Sequence, residues 1–281
     1  MDAIHWYPGH MAKAKRQLSE LIKFIDAIIE VRDARLPLTS HNGDIDSILT
    51  RRPNLVVLNK SDLANPEITK QWRDWFEKRN FPALAVNGKS GQGVEEIWRD
   101  LNRLFPSGTR RPTLRIGVVG IPNVGKSSLL NRLIGTSSAK TGNLPGVTRG
   151  KQWIKRNGFE ILDTPGLLPP KIADQESGIK LALVGTIREE IIPTHDLALM
   201  LLTRFGERLF AWCQTGITIT DPEAGLEWYA RKRGFLIKGG EPDLHRGATT
   251  LLNEFRNGRL GKLSLEVPPA AESDAEQISK E

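Results

Sequence analysis

The apolar run Leu-Arg-Ile-Gly-Val-Val (114–119) passes directly into Gly120-Ile121-Pro122-Asn123-Val124-Gly125-Lys126-Ser127, and a stretch of helical periodicity follows to Ile134. Strand, glycine-rich turn and helix in that order make a cradle for phosphate. The glycines let successive backbone N–H groups point inward, and the helix N-terminus adds its positive end. Lys126 is placed to reach the β- and γ-phosphates of a nucleotide, and the Ser127 hydroxyl to coordinate Mg²⁺. Asn123, Val124, Gly125, Lys126, Ser127 and Ser128 are therefore candidate nucleotide-binding residues. A loop of this kind works only at the carboxyl end of a strand that hands over to a helix, which commits the chain to an α/β fold.

The flanking pattern agrees. AIIEV (27–31), LVVL (55–58) and ALAV (83–86) read as buried strands, alternating with helices over 66–79 and 94–104. An amphipathic helix is expected over His10–Asp26. FPSGTRRPT (105–113) reads as a connector, and WIKR and FEIL flank Asn157-Gly158, a strong hairpin signal. From about residue 177 only helices are expected, near 178–190, 195–210, 222–233 and 243–256. The expected architecture is a mostly parallel sheet with helices on both faces (1–175), a smaller all-α domain (176–267), and a disordered acidic tail (268–281).

Composition narrows the setting. With 39% hydrophobic and 26% charged residues, the 281-residue chain suits a globular protein. No window nears the ~18 uninterrupted apolar residues of a membrane span, and the N-terminus lacks the apolar core of a secretory signal. Cys213 stands alone, so it forms no internal disulfide. A cytoplasmic protein with no membrane partner is expected. The net charge is +7, but the last sixteen residues carry −4, so residues 1–265 hold +11. That surplus suits a polyanionic partner and equally a solvated basic surface. Arg231-Lys232-Arg233 ends a helix, where cations suit the dipole without any nucleic acid.

Further motifs complete the phosphate loop. Asp163-Thr164-Pro165-Gly166 closes a β-run, where Asp163 would hold Mg²⁺ through water and Gly166 would offer its N–H to a γ-phosphate. Thr148, between the two motifs, can add its hydroxyl to Mg²⁺ only while the γ-phosphate is present, which makes its loop a switch. Asn59-Lys60-Ser61-Asp62 leaves the LVVL strand. The Asp62 carboxylate accepts from guanine N1–H and the 2-amino group, whereas adenine would leave it unpaired. Lys60 would lie along the base plane, and Asn59 would tie the loop to base and phosphate loop. Asn87-Gly88-Lys89 ends the next strand, either to present a backbone N–H to the guanine oxygen or simply as a tight turn.

The order of these motifs is unusual, because the base-recognition motifs precede the phosphate loop. A circular permutation preserves every contact if residues 105–113 link the old termini. This order, with Trp6-Tyr7-Pro8-Gly9-His10-Met11-Ala12-Lys13-Ala14 and Asp33-Ala34-Arg35, resembles the circularly permuted YlqF/RbgA family of ribosome-assembly GTPases over about residues 4–268. The resemblance implies GTP hydrolysis coupled to maturation of the large ribosomal subunit, with the helical domain on rRNA. Leu167 stands where Ras-like enzymes carry the water-orienting glutamine. The resemblance offers His10 for that water, with Lys126 and Thr148 as the other catalytic candidates. It also makes Asn123 a candidate K⁺ ligand, with a structural, helix-capping role for His10 as the competing reading. Slow intrinsic turnover, GTP and GDP as ligands, a pre-ribosomal particle as partner and a monomeric state are expected. The alternative is an RNA-binding module that uses GTP as a structural ligand.

Overall fold

A computed structural model of the chain describes residues 23–43, 46, 52–105, 113–135, 140–141, 153–163, 172, 174–187, 192–212 and 221–270. Two compact units divide it, one built mainly from residues 168–263 and the other from 12–167 together with 264–281.

The second unit holds a seven-stranded sheet of β1 (Ala27–Asp33), β2 (Asn54–Asn59), β3 (Ala83–Val86), β4 (Leu114–Val119), β5 (Lys140–Thr141), β6 (Trp153–Arg156) and β7 (Phe159–Asp163). The spatial order is β3-β2-β1-β4-β7-β6-β5. The first five in that order run parallel, and β6 and β5 extend the sheet antiparallel. β1 lies between β2 and β4, and all seven of its residues are buried. From β1 the chain moves outward through β2 to β3, then returns to β4 on the other side of β1. That reversal creates a switch point at the carboxyl edge, where ligands bind in open α/β sheets.

Helices α1 (Pro66–Glu77), α2 (Val94–Leu104) and α3 (Lys126–Ile134) belong to this unit. α1 starts at Pro66, preset for the first turn, and Asn65 caps it by accepting from the N–H groups of Glu67 and Ile68. Its apolar face sets Trp72 and Phe76 against Val56, Leu58, Ala34 and Ala64. Trp98 of α2 is buried too, its ring 5.8 Å from that of Phe159. The hairpin between β6 and β7 turns at Asn157 and Gly158, both at positive φ as a two-residue turn of the expected kind requires.

The other unit contributes α4 (Gln175–Leu183), α5 (Thr194–Trp212), α6 (Pro222–Lys232) and α7 (Leu244–Arg256). Its described residues add only one isolated bridge, Leu236 to Pro242. Leu197, Leu201 and Phe205 of α5, Leu226 and Tyr229 of α6, and Leu251 and Phe255 of α7 are buried. Asp174, Asp221 and Asp243 cap α4, α6 and α7.

Three boundaries differ from the sequence reading. Residues 23–26 form a turn rather than the end of a helix, so that Ile25 can enter the core against Gly117. α4 stops at Leu183, not 190, because Gly185 turns the chain at φ +77°. The helical unit ends at 263, not 267, because Ser264–Glu266 bond to the α/β unit. There the Leu265 and Glu266 N–H groups donate to the Arg35 carbonyl at 2.7 and 3.2 Å, and Trp72 Nε1 donates to the Glu266 carbonyl. The expected first helix (10–22), residues 106–112 of the connector and residues 271–281 of the tail lie outside the described residues.

Candidate nucleotide site

Five parallel strands deliver their following residues to one edge of the sheet. Asp33-Ala34-Arg35 follows from β1, Lys60-Ser61-Asp62 from β2, Asn87-Gly88-Lys89 from β3 and Gly120–Gly125 from β4, while Asp163 ends β7. Groups that lie 65 and 66 positions apart in the chain are hydrogen-bonded there.

Asn59 is the knot. Its Nδ2 donates to the Val124 carbonyl at 2.8 Å and the Gly125 carbonyl at 3.3 Å, and its Oδ1 accepts from the Gly88 N–H at 2.8 Å. One buried side-chain amide thus joins the end of β2, the loop after β3 and the glycine-rich loop after β4. Gly125 must be glycine for this to happen. It sits at φ +89°, and a Cβ there would meet Asn59 Nδ2 at 2.4 Å. Asn123 also takes the left-handed conformation, at φ 62°, the kind of backbone from which anion-binding nests of N–H groups are built.

Lys126 is buried, and its Nζ donates to the Ile121 carbonyl at 3.0 Å, folding the side chain back along the loop. Ser127 and Ser128 occupy the first turn of α3, both exposed. Lys60 sits at φ 58°, and its Nζ is 3.0 Å from Asp33 Oδ2, a partner not assigned to it from the sequence. Asp62 is exposed beside it. In the third motif Asn87 Oδ1 accepts from the Lys89 and Ser90 N–H groups, and the Lys89 carbonyl accepts from Arg132 of α3. The amides of 88–90 thus have acceptors within the protein, and the segment acts on Asn59 by holding it. Asp163 is paired in register with Val118, two residues before Gly120. His10, Thr148 and Gly166 lie outside the described residues.

Two clusters escaped the sequence reading. Glu30 and Arg32 are buried on β1, with Arg32 Nη2 at 2.7 Å from Glu30 Oε2 and His41 Nδ1 at 2.6 Å from Oε1. Burial pushes the Glu30 carboxyl up, but the charges and hydrogen bonds of Arg32 and His41 outweigh it and hold the group below its ordinary range. Asp33 behaves alike. Burial opposes its charge, and Arg35 and Lys60 together overcome that and keep it ionised well below the usual carboxylate range. Asp33-Ala34-Arg35 enters the sequence reading only through the family resemblance, with nothing there to pair Asp33 with Lys60, and Glu30 and Arg32, acid and base in a β-run, read equally as a solvated edge.

Comparison with known proteins decides the family. A family model described as 50S ribosome-binding GTPase matches residues 115–216. Ribosome biogenesis GTPase A of Bacillus cereus is 41% identical over 290 residues, covering 99% of this chain and 98% of its own. The chain belongs to the ribosome biogenesis GTPase A (YlqF/RbgA) family. GNP-bound YlqF from T. maritima matches its structure with a TM-score of 0.68 at 32% identity, over 91% of this chain and 98% of that one. A GDP-bound YlqF structure matches at 0.69 and 30%, over 90% and 99%. This member of the family is accordingly a circularly permuted GTPase, whose Asn59–Asp62 and Asn87–Lys89 loops precede Gly120–Ser127 in sequence and lie beside it in space. A P-loop GTPase domain handles its nucleotide with Mg²⁺. The residues here fit that ion: Ser127 places an exposed hydroxyl on the first turn of α3. Oxygen donors of this kind suit a hard cation.

Proposed function

We propose that the protein is a GTP-hydrolysing assembly factor of the large ribosomal subunit, joining and leaving pre-ribosomal particles according to its nucleotide. The observation that carries the nucleotide reading is the Asn59 side chain, which ties the guanine-recognition strand to Val124 and Gly125 of the phosphate loop. Asp62 selects guanine, Lys60 flanks the base, and Asn87-Gly88-Lys89 braces Asn59. The stretch Asn123 to Ser128 takes the phosphates, with Lys126 on the β- and γ-oxygens. Ser127, Thr148 and Asp163 (through water) are the Mg²⁺ ligands, Gly166 meets the γ-phosphate, and Asn123 serves a K⁺ ion. Bound Mg²⁺ neutralises charge that builds on the phosphates during transfer. His10 orients the attacking water in place of the absent glutamine, and an imidazole, which titrates near pH ~6.5, is suited to that task.

The helical unit is assigned to rRNA on the family resemblance alone, because the basic surplus lies elsewhere: residues 168–263 carry 13 Lys+Arg and 12 Asp+Glu, only +1 of the +11 on residues 1–265. Its contact surface does not centre on Arg231 and Arg233, since Arg231 bonds the Gly240 carbonyl and Glu241, and Arg233 bonds Glu254. Among the described residues no helix is long and apolar enough to cross a membrane. The protein is taken to act in the cytoplasm as a monomer. Because residues 167–177 connect the Asp163–Gly166 motif to the helical unit in sequence, loss of the γ-phosphate would act on that unit without an intermediary.

Sedimentation with ribosomal particles in GTP analogue, GDP and no nucleotide tests this reading. Co-migration with large-subunit precursors in the triphosphate state alone is the expected result. Binding regardless of nucleotide, with phosphate release unaffected by particles, would favour an RNA-binding module with GTP as a structural ligand. His10→Ala is expected to slow phosphate release while leaving GDP affinity unchanged.

A further inference from the structure

Asp33 ends β1 as a carboxylate with 1% exposure. A charge so placed is tolerated only when paired and hydrogen-bonded. Arg35 supplies both. Its backbone N–H and Nε donate to Oδ1 at 3.1 and 2.9 Å, and its Nη2 donates to Oδ2 at 2.8 Å. That clasp already neutralises Asp33, yet a second cation reaches the same oxygen. Lys60 Nζ lies 3.0 Å from Oδ2.

The geometry around this second contact is not incidental. Asp33 and Asn59 are register partners at the ends of adjacent strands, and the Ala34 N–H donates to the Asn59 carbonyl at 2.8 Å. The two loops are therefore joined through the backbone before their side chains meet. Lys60 holds a left-handed φ of 58°, uncommon for a residue with a side chain. Its Cε lies 3.8 Å from where a Cβ on Gly125 would sit, so the stem crosses the end of the phosphate loop. A lysine stem has four rotatable bonds and, at 23% side-chain exposure, open space to move in. The Asp33 carboxylate fixes its far end. Arg35 is fastened in turn, since its carbonyl accepts from Leu265 and Glu266 of the returning chain.

We infer that Asp33 is a positioning residue for guanine-nucleotide binding, fixing Lys60 across the phosphate loop so that the base meets an ordered wall. Asp33 does not touch the nucleotide; it acts through Lys60. The inference rests on the reading of this edge as the nucleotide site, and its test separates the two.

Release of mant-GDP from the full chain is measured by stopped flow for the parent, Asp33→Asn, Lys60→Met and the double variant. Asp33→Asn is expected to release roughly tenfold faster than the parent, the scale of one lost charge-assisted hydrogen bond. Lys60→Met shows a similar acceleration, and the double variant is no faster than Lys60→Met alone. A purely structural Asp33 would leave its effect intact in the Lys60→Met background, so multiplying effects overturn the inference, as does parental release from Asp33→Asn. Should Asp33→Asn fail to fold because Arg35 is left unpaired, Asp33→Asn combined with Arg35→Met removes both buried charges and must show the same fast release. A parent that does not take up mant-GDP overturns the nucleotide reading itself, whereas parental uptake with unaltered release in the variants overturns only the role of Asp33.

Discussion

The two units use their polar side chains in opposite ways. In the α/β unit these side chains reach across the sequence, as Asn59 does to Val124 and Gly88, Lys60 to Asp33, and Glu266 to Leu38 and Thr39. In the helical unit many serve their own helix. Asp174, Asp221 and Asp243 each accept from an N–H two or three residues ahead. The longer-range contacts there, such as Tyr229 and Arg233 with Glu254, join packed helices rather than loop ends. Convergence on one edge is what a ligand site needs, and local satisfaction is what a scaffold needs. The contrast predicts that polar substitutions at the sheet edge of the α/β unit change nucleotide binding, while those in the helical unit leave nucleotide binding unchanged.

The sharpest break would come at Lys126. Its Nζ, which bonds the Ile121 carbonyl, is proposed to take the β- and γ-phosphates, so Lys126→Ala is expected to weaken mant-GTP binding by roughly a hundredfold or more. Fluorescence titration reads the affinity, and circular dichroism should match the parent. Asn59→Ala comes next. It strips partners from the Gly88 N–H and the Val124 carbonyl, each of which then costs about 1–3 kcal/mol, so mant-GDP affinity should fall by about thirtyfold. Unchanged affinity in either variant would end the claim that convergence marks the site.

Much of this edge was legible from sequence because its motifs are contiguous. Gly120–Ser127 states strand, turn and helix within a dozen residues, and Asn157-Gly158 states its own hairpin. Illegible parts depend on register or on the path of the chain. The Asp33–Lys60 contact exists because β1 and β2 are parallel with Asp33 opposite Asn59, which no local pattern encodes. The sequence reading sets Glu266 in the all-α domain (176–267), yet its carboxylate accepts from the Leu38 and Thr39 N–H groups. Leu263 to Glu266 are all buried while Val267 is exposed, so no apolar alternation marks the segment. β5 is two residues long and pairs only with β6, too short for any periodicity.

Acid sharpens the comparison. Glu30 and Asp33 titrate below the ordinary carboxylate range when folded, so their contribution is complete above the unfolded value of about 4 and is lost as pH falls below it toward the folded values. Asp174 and Glu176 of the helical unit are also lowered, Asp174 chiefly by hydrogen bonds from Ser177 and Glu176 chiefly by Arg204. Both are exposed, so water screens their contribution. Hydrogen-exchange protection in β1 and β2 should therefore decline more steeply on acidification than in α4. Equal slopes would mean that the buried network adds no more than the surface pairs.

Within the helical unit the expected effects shrink and leave the ligand untouched. Glu254 is buried, accepts from Tyr229 OH at 2.8 Å and Arg233 at 2.6 Å, and together with burial keeps the Tyr229 phenol from ionising in any ordinary pH range. Glu254→Ala would leave that hydroxyl without its acceptor, for a loss of about 1–3 kcal/mol, visible as weaker protection across α6 and α7. Asp243→Ala is milder. It removes one acceptor from the exposed first turn of α7, where the Arg246 N–H at 3.0 Å can turn to water instead, so about 1 kcal/mol is at stake. The expected result is faster exchange confined to the first turn of α7, with mant-GDP release unchanged. If this small, local substitution altered nucleotide release, capping in the helical unit would be coupled to the sheet edge, and the division between scaffold and site would have to be redrawn.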